Sequence, residues 1–405
     1  MVIAIKLADK YIGSPLCSFL AIFSKKQQTG SLKDVNKILA VQLWGIGETI
    51  LTLPAIEALR KKYPKAQIDV LATSRNKDVY YGNKSVSSAI KISLNPISIF
   101  NFIIKNIKKY DLVVDMEEYL NISAIISFFV GKTAVGYSHN SRAKLYTNRV
   151  RYNDKQHAAQ TFLDLARAVS CERVRDACEN DEQARVQLNE AHSHVTDINF
   201  DAGKLPYLSF SKKDKNAVDR FLKNNGIKKN DFVVCVAPGA AESAKARMWP
   251  YERYAELCDE IIERHKAIII FAGSFNEAEL IDSIQKKMEN KAINAGGKLS
   301  LNQLFYFVSR CNLFIGNDAG PMHVAAAQGV KTLGLFGPNL PVRFGPCGNG
   351  NIGLYKGSNC EFSPCINVHK GEVPDCLYPR NSNDYQKCMK NISVNDVLKE
   401  VEKMV

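Results

Sequence analysis

The sequence lacks the segments that would carry it into or across a membrane. The apolar run near its start, Leu16–Phe23, has eight residues, against the roughly 20 that a spanning helix needs. Lys6, Asp9 and Lys10 interrupt any longer run, and no small-residue cleavage site follows, so no secretory signal is expected. A Walker A phosphate loop is absent. The turn Gly45-Ile46-Gly47 approaches the dinucleotide fingerprint, but Ile50 stands where the third glycine belongs. That gap argues against a nicotinamide-dependent oxidoreductase on the same strand–turn–helix pattern. Paired CxxC motifs are missing among the 11 cysteines. No RNA- or DNA-binding motif appears and the basic residues are dispersed, so nucleic acid is not an expected partner. Negative charge is in deficit: 54 Lys and Arg against 41 Asp and Glu leave a net charge of +13.

What is present is an ordinary globular composition, 46% hydrophobic and 23% charged over 405 residues. At roughly 150 residues per domain this is about two domains with additions. Cores of that size need no disulfide framework, and Cys235, Cys258 and Cys311 read as reduced core thiols of a cytosolic protein. The positive charge implies an anionic partner, whether phosphorylated substrate or acidic membrane surface. Ser14-Pro15 supplies a helix N-cap and first helical residue. Leu16, Phe19, Leu20 and Phe23 follow at helical spacing, closed by Lys25-Lys26. Residues 1–30 are therefore expected to form an amphipathic extension resting on an anionic membrane face. The alternative is a helix packed on the protein's own surface.

The rest alternates strand and helix. Lys37–Leu43, Ile68–Ala72, Asp111–Asp115 and Lys132–Gly136 read as buried strands, and Ala55, Ile56, Leu59 and Tyr63 as one face of a helix. Residues 171–205 are polar and weakly patterned, a connector. A second series follows: strands Phe232–Val236, Ala267–Phe271, Leu313–Ile315 and Thr332–Phe336, with helices Tyr251–Arg264, Glu277–Met288, Leu301–Ser309 and Pro321–Gln328. Lys399, Glu402 and Lys403 mark a final amphipathic helix expected to pack back across the domains. The expected organisation is an N-terminal extension (1–30), an N-terminal Rossmann-like domain (31–205), a second one (206–345) and a Cys-rich tail with a helix (346–405). Alternation of this kind builds parallel sheets covered on both faces, here an α/β protein with two Rossmann-like domains facing across a cleft. Ligands in such sheets bind beyond the carboxyl ends of the strands.

The chemistry-bearing motifs fall at those ends. Gly45 and Gly47 let a ligand approach the backbone, with Glu48 at the lip as a general base or, alternatively, as a complement to the helix dipole. Pro238-Gly239-Ala240 ends a strand, and Lys245 and Arg247 follow as cations suited to phosphate or as a solvated basic loop. Gly316-Asn317-Asp318-Ala319-Gly320-Pro321-Met322-His323 runs from a strand into a helix. The free N–H groups at Ala319 and Gly320 suit an anion, Asp318 suits sugar hydroxyls, and His323 faces the ligand or packs. Glu277 is placed to hold a ribose hydroxyl pair or simply starts a helix. Cys360, Cys365, Cys376 and Cys388, with His369 among them, are a candidate structural zinc site; disulfides or free thiols are the other readings.

In this order the motifs resemble glycosyltransferase family 9, the bacterial ADP-heptose:lipopolysaccharide heptosyltransferases. The resemblance spans about residues 36–400. It rests on Leu53-Pro54-Ala55-Ile56 after the first glycine turn, on Pro238-Gly239-Ala240 with Trp249-Pro250, on Asn317-Asp318-x-Gly320-Pro321-x-His323, and on the tail ending Cys388-Met389. It implies a GT-B fold with an acceptor-binding N-terminal domain and a nucleotide-sugar-binding C-terminal domain. It also implies roles. Glu48 matches the catalytic base, where Asp is usual. Arg247 matches the cation that neutralises the leaving diphosphate, where Lys is usual. Asp318 matches the acid near the sugar hydroxyls, and Ala319 and Gly320 the phosphate-binding backbone, where Ser or Thr is more common at 319. Glu277 matches a ribose-binding acid and Leu299 an apolar residue near adenine.

The expected function is inverting, metal-independent transfer of a sugar, heptose foremost, from a nucleotide diphosphate to a lipopolysaccharide-core-like acceptor, with no cofactor. No Asp-x-Asp pair stands at a strand end, which agrees with metal-free transfer. The expected partners are ADP-heptose, a lipid-linked anionic saccharide and the cytoplasmic face of the inner membrane. The alternative is a sugar-nucleotide or glycolipid-binding protein that has lost catalysis.

Overall fold

The computed structural model describes residues 9–23, 34–169 and 204–405. Lys6, the Lys25-Lys26 pair and residues 171–203 of the expected connector lie outside the described residues. Two units are distinguished, the first taking in the described residues up to 169 with Val368–Gly371, the second the remainder.

The first unit opens with helix α1 (Ser14–Phe23), followed by β1 (Lys37–Val41), α2 (Ile46–Lys62), β2 (Gln67–Ala72), β3 (Ser88–Lys91), α3 (Pro96–Asn106), β4 (Tyr110–Asp115), α4 (Asn121–Val130), β5 (Gly131–Tyr137), β6 (Asn148–Val150) and α5 (Ala158–Ala168). Its six strands run parallel in the order β3-β2-β1-β4-β5-β6. Strands such as Lys-Ile-Leu-Ala-Val at β1 are apolar on both faces because helices cover both. The chain adds strands outward from β1 in one direction and then, from β4, in the other. Loops after β1 and β4 therefore diverge at the centre of the sheet and leave a crevice at its carboxyl edge.

The second unit repeats the plan: α6 (Lys212–Asn224), β7 (Val233–Ala237), α7 (Tyr251–His265), β8 (Ile268–Phe271), α8 (Ala278–Gln285), β9 (Ile293–Asn294), α9 (Leu301–Ser309), β10 (Leu313–Asn317), α10 (Gly320–Ala327), β11 (Lys331–Phe336), β12 (Ile352–Tyr355) and α11 (Val394–Met404). Its order, β12-β11-β10-β7-β8-β9, is the same topology, with β7 and β10 at the switch point. Helix α11 starts from a capping box, Ser393 with Asp396, and buries Val397, Leu398 and Val401 against α7 and β11 of its own unit.

One sequence reading shifts, and one stretch without a reading gains structure. The helix expected over 277–288 is a 3₁₀ turn, Phe275–Glu277, followed by α8 ending at Gln285. Past its end the N–H groups of Glu289 and Asn290 turn to the Asp259 carboxylate at 2.9 and 2.8 Å. The stretch 88–106, which carried no reading, forms β3 and α3; α3 begins at a capped Asn95 whose side chain accepts from the Ser98 N–H.

Candidate functional site

In the first unit, the loop between β1 and α2 is shaped by glycine and held by buried polar groups. Gly45 has φ +73°, and a Cβ there would lie 1.9 Å from Glu48 Oε2, so the Glu48 carboxylate folds back over it. Glu48 and Gly47 lie in the first turn of α2, Gly47 buried and Glu48 half-buried. Thr49 Oγ1 donates to the Gly45 carbonyl at 2.5 Å and accepts from Asn76 Nδ2 at 2.8 Å, tying the loop to the end of β2.

Glu117 was not singled out from the sequence, yet it is the main brace of this loop. Its Oε1 accepts from the N–H of Leu43 at 2.5 Å and of Trp44 at 2.8 Å. Burial above all, and then the neighbouring Asp115 carboxylate, push its pKa from 4.5 to about 8, against the lowering effect of the two N–H donors. At neutral pH most of the Glu117 population is therefore the neutral acid. Beneath it lies a buried ion pair, Arg142 Nη2 to Asp115 Oδ2 at 3.0 Å, with the Tyr146 hydroxyl donating to Asp115 at 2.6 Å. Tyr119 faces Glu117, Glu48 and Glu118, whose charges add to burial in raising its phenol. His139, also in this unit, is lowered to about 4 chiefly by burial and is neutral. No pairwise spacing in the sequence announces Glu117, because it reaches the loop after β1 from the loop after β4, 74 residues on.

In the second unit, Asn317 at the end of β10 joins three of the motifs. Its Nδ2 donates to the carbonyls of Pro238 (2.7 Å) and Gly239 (3.2 Å), and its Oδ1 accepts from the Trp249 N–H (3.1 Å) and the Tyr254 hydroxyl (3.0 Å). Arg247 Nη1 donates to the Asp318 carbonyl at 3.2 Å and lies 3.3 Å from its Oδ2. Asn339, buried and also unforeseen, donates to the same Asp318 oxygen at 2.9 Å. The buried Nε of Arg247 has no acceptor among the described residues, so the guanidinium keeps donor capacity.

Glu277 starts a helical turn, the second of the two roles expected of it. Its Oε2 accepts from the Ser274 N–H (2.6 Å) and hydroxyl (2.8 Å), capping the 3₁₀ turn. Its other oxygen lies against Gly239, where a Cβ would approach within 1.8 Å. Ala319 is the N-cap of α10 with extended backbone, and Gly320 its first residue, so the amides of a helix start, with no side-chain cap among the described residues, gather beside Asp318 and Arg247. His323 is buried within α10. Lys245 is exposed on the 3₁₀ turn Glu242–Arg247, and Leu299 is half-buried just before the Ser300 cap of α9. Gly239, Glu277, Arg247, Asp318, Ala319 and Gly320 thus cluster around the carboxyl ends of β7 and β10.

The late cysteines show no built cage: among the described residues no group of three or more His, Cys, Asp or Glu is arranged to hold a metal. Cys360 and Cys388 belong to the apolar core, while Cys365 and Cys376 are half-buried. Burial pushes the Cys365 thiol up to about 11 and the Cys388 thiol to about 12.

Residues 103–370 match glycosyltransferase family 9 (heptosyltransferase). Among curated proteins, the lipooligosaccharide heptosyltransferase 2 of Haemophilus influenzae is 24% identical over 317 residues, 76% of this chain and 84% of its own length. Among solved structures, a family 9 glycosyltransferase from Veillonella parvula superposes with a TM-score of 0.71 at 23% identity, covering 92% of this chain and 97% of that one. The ADP-heptose lipopolysaccharide heptosyltransferase II of Escherichia coli gives 0.66 at 20%, covering 91% and 98%. The expected fold class, α/β of the GT-B kind, agrees with these neighbours and with the two parallel six-stranded sheets.

Proposed function

Since the chain belongs to glycosyltransferase family 9 and is a glycosyltransferase, we propose that it moves heptose from ADP-heptose onto a lipid-linked, anionic saccharide of the lipopolysaccharide core. The observation that carries this reading is the cluster at β7 and β10. A guanidinium with a spare buried donor stands beside the open amides of a helix start, and a carboxylate lies against a side-chain-free turn. A diphosphate, a nucleoside ribose and their linkage demand those three kinds of group.

The chemistry follows from residue types. Glu48 takes the proton of the acceptor hydroxyl as its oxygen attacks the anomeric carbon. The bond from that carbon to the phosphate oxygen breaks, and ADP leaves with the electron pair. Arg247 and the amides at Ala319 and Gly320 meet the charge gained by the diphosphate, which is the work a divalent cation does elsewhere, so the transfer is metal-independent. In-line displacement inverts the configuration. Glu117, acting through the backbone of Leu43 and Trp44, is a positioning residue for the Glu48 loop. A lipid-borne acceptor places the enzyme at the cytoplasmic face of the inner membrane. The test is acceptor-dependent release of ADP from ADP-heptose by the purified chain. Transfer from UDP- or GDP-sugars at equal rates, or ADP release indifferent to acceptor, speaks against the reading.

A further inference from the structure

Helix α3 is apolar on both sides. Its inner face, Ile99, Phe102 and Ile103, packs into the core of the first unit. Its outer face carries Ile97, Phe100 and Ile104, continued by Ile107, which are 75%, 63%, 53% and 54% exposed. Between the two apolar faces runs a narrow polar stripe, Ser98, Asn101 and Lys105; only the inner apolar face is covered among the described residues, and the outer one is left toward solvent. Helix α1 repeats the arrangement. Cys17, Leu20 and Ala21 pack inward, while Phe19, Ile22 and Phe23 stand exposed. Both helices flank α4 and bury their inner faces in the same apolar cluster, so their outer faces belong to one side of the sheet.

The charge around these faces has one sign. Residues 91–109 contain Lys91, Lys105, Lys108 and Lys109, all exposed, and no Asp or Glu. Residues 9–23 add Lys10 and one acid, Asp9, whose carboxylate is turned inward to accept from the N–H groups of Asn121 and Ile122. The Lys108 ammonium is partly committed, to the carbonyls of Phe128 and Gly131. Among the described residues no helix is long and apolar enough to cross a membrane. An isologous contact between two copies would bring the lysine rims together. An anionic bilayer instead matches both the apolar stripe and its basic border.

We propose that α3, with α1 beside it, is a membrane-docking surface for anionic lipid, both helices lying in the plane of the interface with Phe100 and Ile104 at the point of insertion. The inference rests on the reading of a lipid-linked acceptor and adds to it the element that would carry the enzyme to that acceptor.

The experiment is flotation of the full-length protein with vesicles of phosphatidylcholine alone and of phosphatidylcholine and phosphatidylglycerol in equal parts. The wild type is expected to float with the anionic vesicles only, and less at high salt. Phe100→Glu with Ile104→Glu is expected to cut that binding about tenfold or more, with transfer to a delipidated, water-soluble acceptor unchanged. Lys105→Glu with Lys109→Glu is expected to weaken it and to flatten the salt dependence. Wild type that fails to float with anionic vesicles, or apolar variants that float as well as wild type, overturns the proposal. A wild type that does not float but dimerises through this face, shown by variants that turn monomeric, assigns the face to a second copy instead. Flotation without any heptose transfer would sink the functional reading and leave the surface standing.

Discussion

Arg247 Nη1 lies 3.3 Å from Asp318 Oδ2, and the same nitrogen donates to the Asp318 carbonyl. The two motifs that bear them, 71 residues apart, are thereby one device: the acid orients the cation, and the buried Nε of the cation has no acceptor among the described residues. Arg247→Ala is expected to lower heptose transfer by about a hundredfold or more, the scale of losing a charge-stabilising donor. Arg247→Lys should recover part of this, since an ammonium supplies charge without the planar fork. Asp318→Asn should raise the Michaelis constant for donor more than it lowers turnover. Steady-state kinetics with varied ADP-heptose checks all three.

Gly239 and Glu277 are in mutual contact, so a methyl group at 239 has nowhere to go except into the carboxylate. Gly239→Ala is expected to displace Glu277 and weaken ADP binding by about tenfold or more, roughly the discrimination a lost charged hydrogen bond gives. Glu277→Gln should weaken ADP binding less. Calorimetric titration with ADP reads both.

Gly45→Ala combines a left-handed backbone, φ +73°, with a collision against Glu48. The strain alone costs on the order of 1–2 kcal/mol. The variant is expected to melt lower and to lose turnover, with ADP affinity unchanged because the residues proposed to bind the donor belong to the other unit. Thermal unfolding and ADP titration together separate this from a global defect.

Glu117 ionises near 4.5 in an unfolded chain and near 8 in the folded one. Between those values the folded state holds more protons, so this group's stabilising contribution is full below pH 4.5 and lost as pH rises through 8. Asp115 is shifted the same way by burial. Glu117→Gln, which cannot ionise, is expected to show a shallower fall of stability with rising pH across that window. Urea midpoints of both proteins at several pH values are the check; parallel curves contradict the assignment.

Much of this was legible in the sequence because glycine and proline punctuate it. Gly45-Ile46-Gly47 and Ala319-Gly320-Pro321 each mark a strand giving way to a helix, and the structure places β1 and β10 before them and α2 and α10 after. Glu117, Asn317 and Asn339 were not legible as braces. Their partners lie on neighbouring parallel strands or distant loops, and such pairings have no local period. Helix α3 escaped for another reason: apolar residues fill both its inner and outer faces and leave only the narrow polar stripe Ser98, Asn101 and Lys105, so its helical period is weakly marked. The start of α6 carried no reading, yet Ser211 and Asp214 form a plain capping box there.

The most direct test of the account is the turnover of Glu48→Gln with saturating ADP-heptose and core acceptor. Turnover falling by about a hundredfold or more with ADP affinity intact is the predicted result. Turnover within about twofold of wild type would show that another group accepts the hydroxyl proton.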